Sequence, residues 1–346
     1  MGKNFMLDGQ KFPTEALKSW FLMCKRDFPW RQDPSPYEVW ISEMMLQQTL
    51  SSVVVDYFNR WMERFPDIQS LADAPFEEVV KLWEGLGYYQ RAKYLHEGAK
   101  QICLYHEGRI PSVEEALKKI KGIGPYTLGA ILSFAFHKKK AAVDGNVLRV
   151  ISRYFLINEP IDQAKTKAVI TKIVEDILPD REPHVIMEAF IELGAVICKK
   201  QPICLSCPIR HSCLSYQNQK TKDIPKKSKK ISTIYLQRDV YIFQYQNAFL
   251  IKNCLPKGLM ANLYEFPYLE RDQEQTKPSP WIISGDFVRS FPLVKHSFTK
   301  YAATLFPHLF MIKEKTEVSG FSWIESEKLR DLPFSAGHKK ILDFIF

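Results

Sequence analysis

Apolar residues recur at helical spacing through the first 216 positions, and short turns rich in glycine, proline and aspartate separate the apolar segments. This pattern predicts one helix after another over about 14–155, followed by helices over about 163–178 and 184–197. No segment in this part shows the alternation of apolar and polar residues that is typical of a strand. We therefore predict an all-helical first domain over residues 1–216.

The pattern changes after residue 216. Residues 217–232 contain six lysines and almost no apolar side chains, which predicts a solvated basic linker. Beyond it, alternating residues predict strands over 233–236, 240–245, 248–251 and 304–311, with a turn at Gln246-Asn247 and a closing helix over 337–346. We predict a second domain of mixed α and β type over 233–346. It shows no phosphatase or kinase signature, so we expect binding rather than catalysis there.

A helix predicted to start near Tyr37 is apolar around much of its circumference, so we expect it to be deeply buried. Glu43 lies in the middle of this helix. A carboxyl group removed from water has a raised pKa and can stay protonated near neutral pH, as a general acid requires. The alternative is that Glu43 occupies the one polar stripe of the helix. Gln47 and Gln48 follow one turn later, and their amides could enter a groove or fill a vacated base position.

The segment from Ile120 to Arg153 combines a glycine turn with a carboxylate. Gly122 and Gly124 allow a sharp turn, and Pro125 suits the first position of the next helix. The resulting hairpin would point backbone amides and a positive helix end outward, which favours a phosphate. Asp144 follows about a helix and a turn later. The alternative is an ordinary helix–helix turn followed by an aspartate that only caps a helix.

Glu43 and Asp144 together suggest a specific chemistry. If Asp144 stays ionised while Glu43 is protonated, the pair has the divided pKa values used to cleave glycosidic bonds. Asp144 would stabilise a cation that forms at the sugar C1′, and Glu43 would protonate the leaving group. A second glycine hairpin, over 85–91, carries Tyr88 and Tyr89, which could wedge between bases. The alternative is that this segment only caps the C-terminus of a helix and that its tyrosines pack in the core.

Four of the seven cysteines lie within sixteen residues, at Cys198, Cys204, Cys207 and Cys213. Four thiolates at this loop spacing can hold a [4Fe–4S] cluster or a tetrahedral zinc ion, and the spacing does not separate the two. Four nearby residues would add a positive rim for phosphates: Lys199, Lys200, Arg210 and His211. We expect the three scattered cysteines, Cys24, Cys103 and Cys254, to be buried small hydrophobes.

The net charge of +9 indicates an anionic partner, either nucleic acid or a membrane surface. No apolar run approaches the ~20 residues that a membrane-spanning helix needs. The N-terminus lacks a signal-peptide core and a myristoylation site. From the sequence we expect a soluble intracellular protein with no membrane partner.

Several segments in the same order resemble the helix-hairpin-helix DNA glycosylases, and specifically the adenine glycosylases of the MutY family. The matching segments are Pro29–Arg31, Val39–Thr49, Leu82–Tyr89, Gly122–Thr127, Val143–Val147 and the four clustered cysteines. A weaker match continues in the second domain through Gly258-Leu259, Leu263–Pro267 and His296–Thr299. The resemblance implies a two-lobed helical glycosylase domain, a [4Fe–4S] cluster on the four cysteines and a Nudix-like C-terminal domain.

The resemblance also implies roles for individual residues. Glu43 would protonate adenine and later help to activate water, Asp144 would stabilise the oxocarbenium ion or form a transient sugar adduct, and Tyr126 would support them by hydrogen bonding. The adenine pocket would be lined by Trp30, Arg31, Leu46, Glu188 and Ile191. DNA would be contacted by Gln47, Gln48, Thr49, Leu86, Tyr88, Gly122 and Gly124. In the family the C-terminal domain recognises 8-oxoguanine, here through Phe298, Thr299 and Lys300.

The sequence departs from the family pattern in three places. The first cysteine gap holds five residues where the family usually has six. Phe298-Thr299-Lys300 stands where the family usually has Phe-Ser-His, so Lys300 changes the third contact. Met260 replaces a usual tryptophan. The last two departures concern recognition of the lesion rather than excision of adenine.

We therefore predict a monofunctional glycosylase that removes adenine opposite 8-oxoguanine or guanine and leaves an abasic site. Its expected partners are double-stranded DNA and a downstream abasic-site endonuclease. We expect the protein to act as a monomer, in a bacterial-type cytoplasm and at the nucleoid. One alternative is the endonuclease III type, which removes oxidised pyrimidines and cleaves the strand through a lysine at the position of Tyr126. Another is a non-catalytic DNA-binding module.

Overall fold

The computed structural model describes residues 12–228, 232–252, 260, 262–271 and 283–346. The chain divides into two compact units, which are treated separately. Unit 1 comprises residues 1–72 and 97–230, and unit 2 comprises residues 73–96 and 231–346. The predicted boundaries at residues 216 and 233 remain predictions.

The helical content predicted for the first part of the chain is confirmed, and no strand occurs within residues 12–228. A π-helical turn at Ile131–Ala135 follows α8, and a short 3₁₀ turn spans Pro29–Arg31. The helices are α1 (Thr14–Cys24), α2 (Pro36–Leu46), α3 (Ser51–Arg64), α4 (Ile68–Asp73), α5 (Phe76–Leu82), α6 (Gln90–His106), α7 (Glu114–Leu117), α8 (Pro125–Ala130), α9 (Gly145–Tyr154), α10 (Ala164–Ile177), α11 (Pro183–Val196), α12 (Leu214–Gln217), α13 (Ser326–Leu329) and α14 (Ala336–Ile345). In the described part of the chain, none is long and apolar enough to cross a membrane.

Helix α2 begins at a complete capping box. Ser35 accepts a hydrogen bond from the backbone of Glu38, the Glu38 side chain accepts one from the backbone of Ser35, and Pro36 occupies the first helical turn. Trp40 and Met45 are fully buried, as are most of their neighbours in this helix. The predicted deep burial of α2 is confirmed.

A second layer of unit 1 forms around helices α9 and α11. Its core contains Val147 and Ile151 from α9 and Phe190 and Leu193 from α11, all fully buried. Gly194 lets the two helices approach closely, because a Cβ atom at this position would lie 2.5 Å from Cβ of Asn146. The close contact places the start of α9, and therefore Asp144, against α11.

The basic segment after residue 216 is less solvated than its sequence predicts. Ile224 is 1% exposed, and the backbone of Ile161 donates a hydrogen bond of 3.0 Å to the carbonyl of Lys226. The buried Ile224 and this hydrogen bond hold the segment against the rest of unit 1, despite the surrounding lysines. Residues 229–231, which include two of the predicted linker lysines, lie outside the described residues.

Unit 2 contains a seven-stranded mixed sheet, with β1 parallel to β6 at its centre and antiparallel pairs elsewhere. Its strand order is β4-β6-β1-β2-β7, with β3 also on β1 and β5 also on β6. The strands are β1 (Ile234–Tyr245), β2 (Ala248–Lys252), β3 (Tyr268–Glu270), β4 (Gly285–Ser290), β5 (Val294–Phe298), β6 (Tyr301–Ile312) and β7 (Phe321–Glu325). Helix α14 belongs to this unit, and its core contains the fully buried rings of Phe266 and Phe334.

Most predicted features of the second domain are confirmed. The hairpin at Gln246-Asn247, the strand over 304–311 and the closing helix are present, and the first two predicted strands form one continuous β1. The sequence pattern missed β3, β4, β5 and β7. Strand β4 is largely exposed, so its residues carry little apolar alternation, and β7 is only five residues long.

The predicted burial of the scattered cysteines is wrong for Cys24, which is exposed. It is the last residue of α1, three residues beyond the buried Phe21. Cys103 is half-buried, and Cys254 lies outside the described residues, as does the segment Gly258-Leu259.

Candidate active site

Two of the predicted catalytic residues meet in the interior of unit 1. Glu43 on α2 is only 7% exposed, and the hydroxyl of Tyr126, in the first turn of α8, donates a hydrogen bond of 2.5 Å to its Oε2 atom. Burial raises the pKa of Glu43 to about 7, while the hydrogen bond from Tyr126 opposes the rise. The nearby negative charges of Asp144 and Glu188 raise this pKa further. The structure thus holds a carboxyl group that is partly protonated at neutral pH.

Asp144 is the N-cap of α9, so the capping alternative describes its geometry correctly. Its Oδ1 atom accepts hydrogen bonds from the backbone N–H groups of Asn146 and Val147, at 2.9 and 2.8 Å. Its Oδ2 atom accepts one from the side-chain amide of Asn146 at 2.7 Å. Burial raises the pKa of Asp144, and these three donors oppose the rise by favouring the charged form. The cap therefore also fixes the direction of a buried carboxylate.

Behind Asp144, two polar side chains connect the carboxylate with the cysteine loop. The guanidinium of Arg149 donates to Oδ1 of Asn146 at 2.7 Å and to the carbonyl of Gly194 at 2.8 Å. Its Nε atom donates to the carbonyl of Cys198 at 2.6 Å. Sequence reasoning did not identify these contacts of Arg149. The only available signal was the i, i+3 spacing from Asn146 to Arg149.

The predicted base pocket is a charged and aromatic cluster. Trp30 is 7% exposed, and its ring stacks on Phe28 with a centroid distance of 4.8 Å. Arg31 forms ion pairs with Glu188 at 3.2 Å and with Glu192 at 2.9 Å. Leu46 and Ile191 are both half-buried, and Ile191 packs against the α9–α11 core.

Sequence reasoning missed two members of this cluster, Arg26 and Glu192. The Glu192 side chain is fully buried, and Arg26 donates to it at 2.6 Å. Burial alone would raise the pKa of Glu192, but the hydrogen bonds from Arg26 and Arg31 hold it below its usual value. The available signal was that Glu188 and Glu192 are one turn apart on an otherwise apolar helix. This network restricts the position of Arg31.

The predicted DNA-contacting residues of unit 1 differ in their surroundings. Gln47 donates to the hydroxyl of Thr127 at 3.3 Å, whereas Gln48 is exposed with φ of 60° and Thr49 is half-buried. Gly122 has φ of 81°, so its turn favours glycine. Gly124 has an ordinary φ and is the N-cap of α8, with open space where a Cβ atom would lie.

In unit 2, the hairpin over 85–89 is held by hydrogen bonds. Trp83 Nε1 donates to the carbonyl of Gly87 at 3.0 Å, and the guanidinium of Arg91 donates to the carbonyls of Leu86 and Gly87 at 3.2 and 3.0 Å. Leu86 is 6% exposed, whereas Tyr88 is 44% exposed with a left-handed φ of 48°. An exposed aromatic residue in a disfavoured backbone conformation fits the wedge interpretation better than the core interpretation.

The predicted lesion-contacting residues form the turn between β5 and β6. Phe298 stacks between His296 and Tyr301, with centroid distances of 5.0 and 5.4 Å. Thr299 has φ of 50°, and both it and Lys300 are exposed. The Lys300 ammonium lies 5.5 Å from the centroid of the Tyr301 ring. Met260 is half-buried.

The four clustered cysteines line one pocket, together with Arg153 and the apolar residues Leu193, Ile197 and Ile209. Burial raises the pKa of the Cys204, Cys207 and Cys213 thiols, to about 12 at Cys207. Arg153 donates to Sγ of Cys198 at 3.3 Å and to the carbonyl of Lys199 at 2.6 Å. Among the described residues, no three ligand-type side chains are arranged to hold a single metal ion. A donor set of four sulfurs around a shared pocket fits an iron–sulfur cluster.

Known proteins resemble this chain in both units. A model of the HhH-GPD superfamily of base excision DNA repair proteins matches residues 41–176, and a NUDIX domain model matches residues 240–344. The adenine DNA glycosylase of Buchnera aphidicola subsp. Baizongia pistaciae is 36% identical over 252 residues, which are 72% of this chain and 71% of that relative. The corresponding enzyme of Buchnera aphidicola subsp. Schizaphis graminum is 28% identical over 348 residues, which are 95% of this chain and 97% of that one.

Among solved structures, a thermostable thymine-DNA glycosylase superposes with a TM-score of 0.55 at 26% identity, covering 59% of this chain and 95% of that one. The structural match confirms the helical glycosylase fold, and the domain models confirm both predicted fold types. DNA is therefore the partner that the positive charge indicated. Because the chain is more than a third identical to an adenine DNA glycosylase over 71% of that enzyme's length, it belongs to the adenine DNA glycosylase family of base excision repair hydrolases, which cleave N-glycosidic bonds.

Proposed function

We propose that this glycosylase removes adenine from A:8-oxoguanine and A:G mispairs, with Glu43 and Asp144 as the catalytic carboxyl groups. The observation that carries the proposal is the unequal number of hydrogen bonds that these two buried carboxyl groups accept. Glu43 accepts one hydrogen bond from Tyr126, and its pKa lies at about 7. Asp144 accepts three hydrogen bonds, and Arg149 adds a positive charge nearby. Burial raises the pKa of Asp144, and its three donors and Arg149 oppose this rise, whereas Glu43 has one donor; we therefore assign the neutral acid to Glu43 and the ionised carboxylate to Asp144.

The divided protonation states match the needs of glycosidic bond cleavage. Glu43 gives its proton to a ring nitrogen of adenine, which makes the base a better leaving group. As the C1′–N9 bond breaks, positive charge develops on the sugar, and Asp144 stabilises this charge or forms a transient covalent adduct. Glu43, now ionised, takes a proton from the water that completes the hydrolysis. Tyr126 holds Glu43 in one orientation throughout.

The charged cluster around Arg31 suits adenine recognition. Adenine offers an acceptor at N7 and a donor at its N6 amino group. A guanidinium donates and a carboxylate accepts, so Arg31 can donate to N7 and Glu188 can accept from the N6 amino group of a flipped base. Trp30 would provide an aromatic face, and Leu46 and Ile191 would complete an apolar wall. Burial raises the pKa of Glu188, while Arg31 opposes this rise and favours the ionised acceptor.

We propose that Cys198, Cys204, Cys207 and Cys213 hold a [4Fe–4S] cluster. The cluster would cross-link the four thiolates covalently, and Lys199, Lys200, Arg210 and His211 would supply positive charge around this loop for phosphates. Arg153 and Arg149 hold the carbonyls of this loop from inside. This chain's own residues thus connect the loop to the start of α9 through Asn146.

Recognition of the base opposite adenine is proposed for two exposed elements of unit 2, the Phe298–Lys300 turn and the hairpin that presents Tyr88. Gln48 is proposed to probe the base stack from unit 1, with Gln47, Thr49 and Leu86 supporting the DNA contacts.

Gly122 and Gly124 are proposed to receive a backbone phosphate at the start of α8. We further propose that the protein acts as a monomer on nucleoid DNA and passes its product to an abasic-site endonuclease.

Monofunctional hydrolysis is proposed because Tyr126 has no amine that could form a Schiff base with the sugar. The test is a single-turnover assay on duplexes that carry A opposite 8-oxoguanine, A opposite G, or an oxidised pyrimidine. We expect strand breaks only after alkali treatment and only at adenine. High-yield borohydride trapping would instead indicate a lyase of the endonuclease III type, and no adenine release would favour the non-catalytic alternative.

The role of Asp144 is tested with Asp144→Asn, since asparagine also caps helices well and the variant should fold. We expect binding of the mispaired duplex within about threefold of wild type, and base release slower by at least about a thousandfold. The exposed Asp180→Asn provides the matched control. A wild-type rate for Asp144→Asn would contradict the catalytic assignment.

A further inference from the structure

Within unit 2, the carboxylate of Glu84 joins the segment before the glycine hairpin to the C-terminal part of the chain. Its side chain is 6% exposed. Its Oε1 atom accepts a hydrogen bond from the backbone N–H of Phe334 at 3.0 Å. Its Oε2 atom pairs with the ammonium of Lys81 at 3.1 Å and with that of Lys339. Two cations and an N–H group therefore compensate one buried negative charge.

Lys81 strengthens this connection. Its ammonium also donates to the backbone carbonyls of Arg330 and Leu332, the second at 3.2 Å. Residues 81–84 thus hold the loop over 330–334 by both its carbonyl and its N–H groups. We call this set of contacts the Glu84 clamp. Removing the charge of Glu84 would leave two ammonium groups near each other without their common partner.

On one side of the clamp, the chain continues directly into the hairpin over 85–89. The hairpin has little freedom of its own, because Trp83 and Arg91 bind its carbonyls. Tyr88 keeps a left-handed backbone conformation that a non-glycine residue adopts only when its surroundings hold it there. The position of the Tyr88 ring is therefore set by the segment to which Glu84 belongs.

On the other side, contacts lead from the clamp to the turn between β5 and β6. The Phe334 ring lies in the core of the unit, and the carbonyl of Pro333 accepts a hydrogen bond from the backbone of Tyr264 at 2.9 Å. Gly337 in the first turn of α14 packs so tightly on His296 that a Cβ atom there would lie 2.6 Å from the imidazole ring. His296 in turn stacks on Phe298.

We infer that Glu84 is a positioning residue for opposite-base discrimination, fixing the Tyr88 hairpin relative to the Phe298–Lys300 turn so that the two elements read the lesion as one body. This inference rests on the proposed function of these two elements. The two elements are more than 200 residues apart in sequence but belong to one compact unit. If the hairpin were mobile in the free protein, part of the binding free energy would be spent on ordering it. We expect this cost to be largest for the A:8-oxoguanine duplex, whose recognition depends on the exact position of Tyr88.

The test compares Glu84→Gln with Glu77→Gln, an exposed glutamate of helix α5, which ends two residues before Glu84. Glutamine keeps the size of the side chain and can still accept from Phe334, but it loses the pairing with both lysines. We expect Glu84→Gln to reduce the preference for binding the A:8-oxoguanine duplex over the A:G duplex by about tenfold. Lys339→Met should also reduce it, and the double variant should be no worse than Glu84→Gln alone, because Glu84→Gln has already removed the pair with Lys339.

Hydrogen exchange on the DNA-free protein tests the clamp without relying on lesion recognition. Amides over 85–89 should exchange faster in Glu84→Gln and at the wild-type rate in Glu77→Gln. If wild type shows no preference for 8-oxoguanine, the proposed lesion recognition fails, and this inference fails with it. If wild type shows the preference and Glu84→Gln retains it, or if exchange over 85–89 is unchanged, the inference about Glu84 alone is wrong.

Discussion

At the scale of single residues, the burial of Glu43 and its contact with Tyr126 together determine the pH range of the proposed reaction. The hydrogen bond from Tyr126 favours the ionised carboxylate, and burial favours the neutral acid more strongly. A general acid must be protonated, so activity should be lost as pH rises through about 7. Tyr126 thus lowers the pKa of Glu43, while Glu43 remains the proton donor.

Tyr126→Phe therefore gives a prediction with a definite sign. Removing the donor should raise the pKa of Glu43, so the alkaline limb of the single-turnover rate should move to higher pH even if the maximal rate falls. The profile is measured for base release from A:8-oxoguanine, with the exposed Tyr105→Phe as the control. A limb that stays in place, or moves to lower pH, would show that Glu43 is not the titrating acid.

At the scale of elements, the approach of α9 to α11 orients Asp144. The contact between Gly194 and Asn146 leaves no space for a methyl group, and Asn146 is the residue that holds both carboxylate oxygens of Asp144. Asp144 therefore depends on a glycine 50 residues further along the chain.

Gly194→Ala should separate the two helices and displace Asn146. We expect base release to slow by at least about tenfold, and the free energy of unfolding to fall by about 1–3 kcal/mol because of the overpacking. Gly145→Ala is the matched control, since a Cβ atom there meets open space. For both variants, single-turnover kinetics measure base release and denaturant unfolding measures the free energy of unfolding. Equal behaviour of the two variants would rule out this packing argument.

The cysteine loop depends on a second element contact, through Arg153. This side chain is 3% exposed and binds the carbonyls of Ile224, Lys199 and Lys200. It thus ties α9 to the loop and to the segment that follows it. Leaving such carbonyls buried without a donor costs roughly 1–3 kcal/mol each.

Arg153→Met should therefore lower the free energy of unfolding by about 3 kcal/mol and reduce the iron content of the purified protein. Iron and sulfide analysis, visible absorbance and denaturant unfolding measure the two effects, with the exposed Lys199→Gln as control. A variant with full iron content and unchanged stability would show that the loop does not need Arg153. Zinc in place of iron in wild type would contradict the proposed cluster.

At the scale of the whole molecule, the charge of +9 determines how affinity responds to salt. Each phosphate contact releases counterions when it forms, so the logarithm of the binding constant should fall steeply and linearly with the logarithm of salt concentration. We expect affinity for undamaged duplex to fall by about a hundredfold or more between 50 and 200 mM salt, which corresponds to several phosphate contacts. Fluorescence anisotropy at a series of salt concentrations measures the slope. A shallow slope would mean that the positive charge does not contact the DNA backbone.

Much of this protein was predictable from local patterns. The period of apolar residues indicated the helical part, the central strands and the closing helix, because burial of one face imposes that period. The cysteine spacing and the paired carboxylates indicated the classes of site. Exposed strands such as β4 were missed because solvent imposes no such period, and burial of Ile224 was missed because its neighbours are lysines.

The sequence by itself determined which chemical groups are available: one carboxyl group within an apolar helix, a second at a helix start, a tyrosine after a glycine turn, and four clustered thiols. Only the tertiary structure decided what those groups can do. A pKa depends on burial and on the donors that face a carboxyl group, and those donors come from distant parts of the chain: Tyr126 for Glu43, and Arg26 for Glu192. Such contacts are set by packing between helices, which no local pattern records.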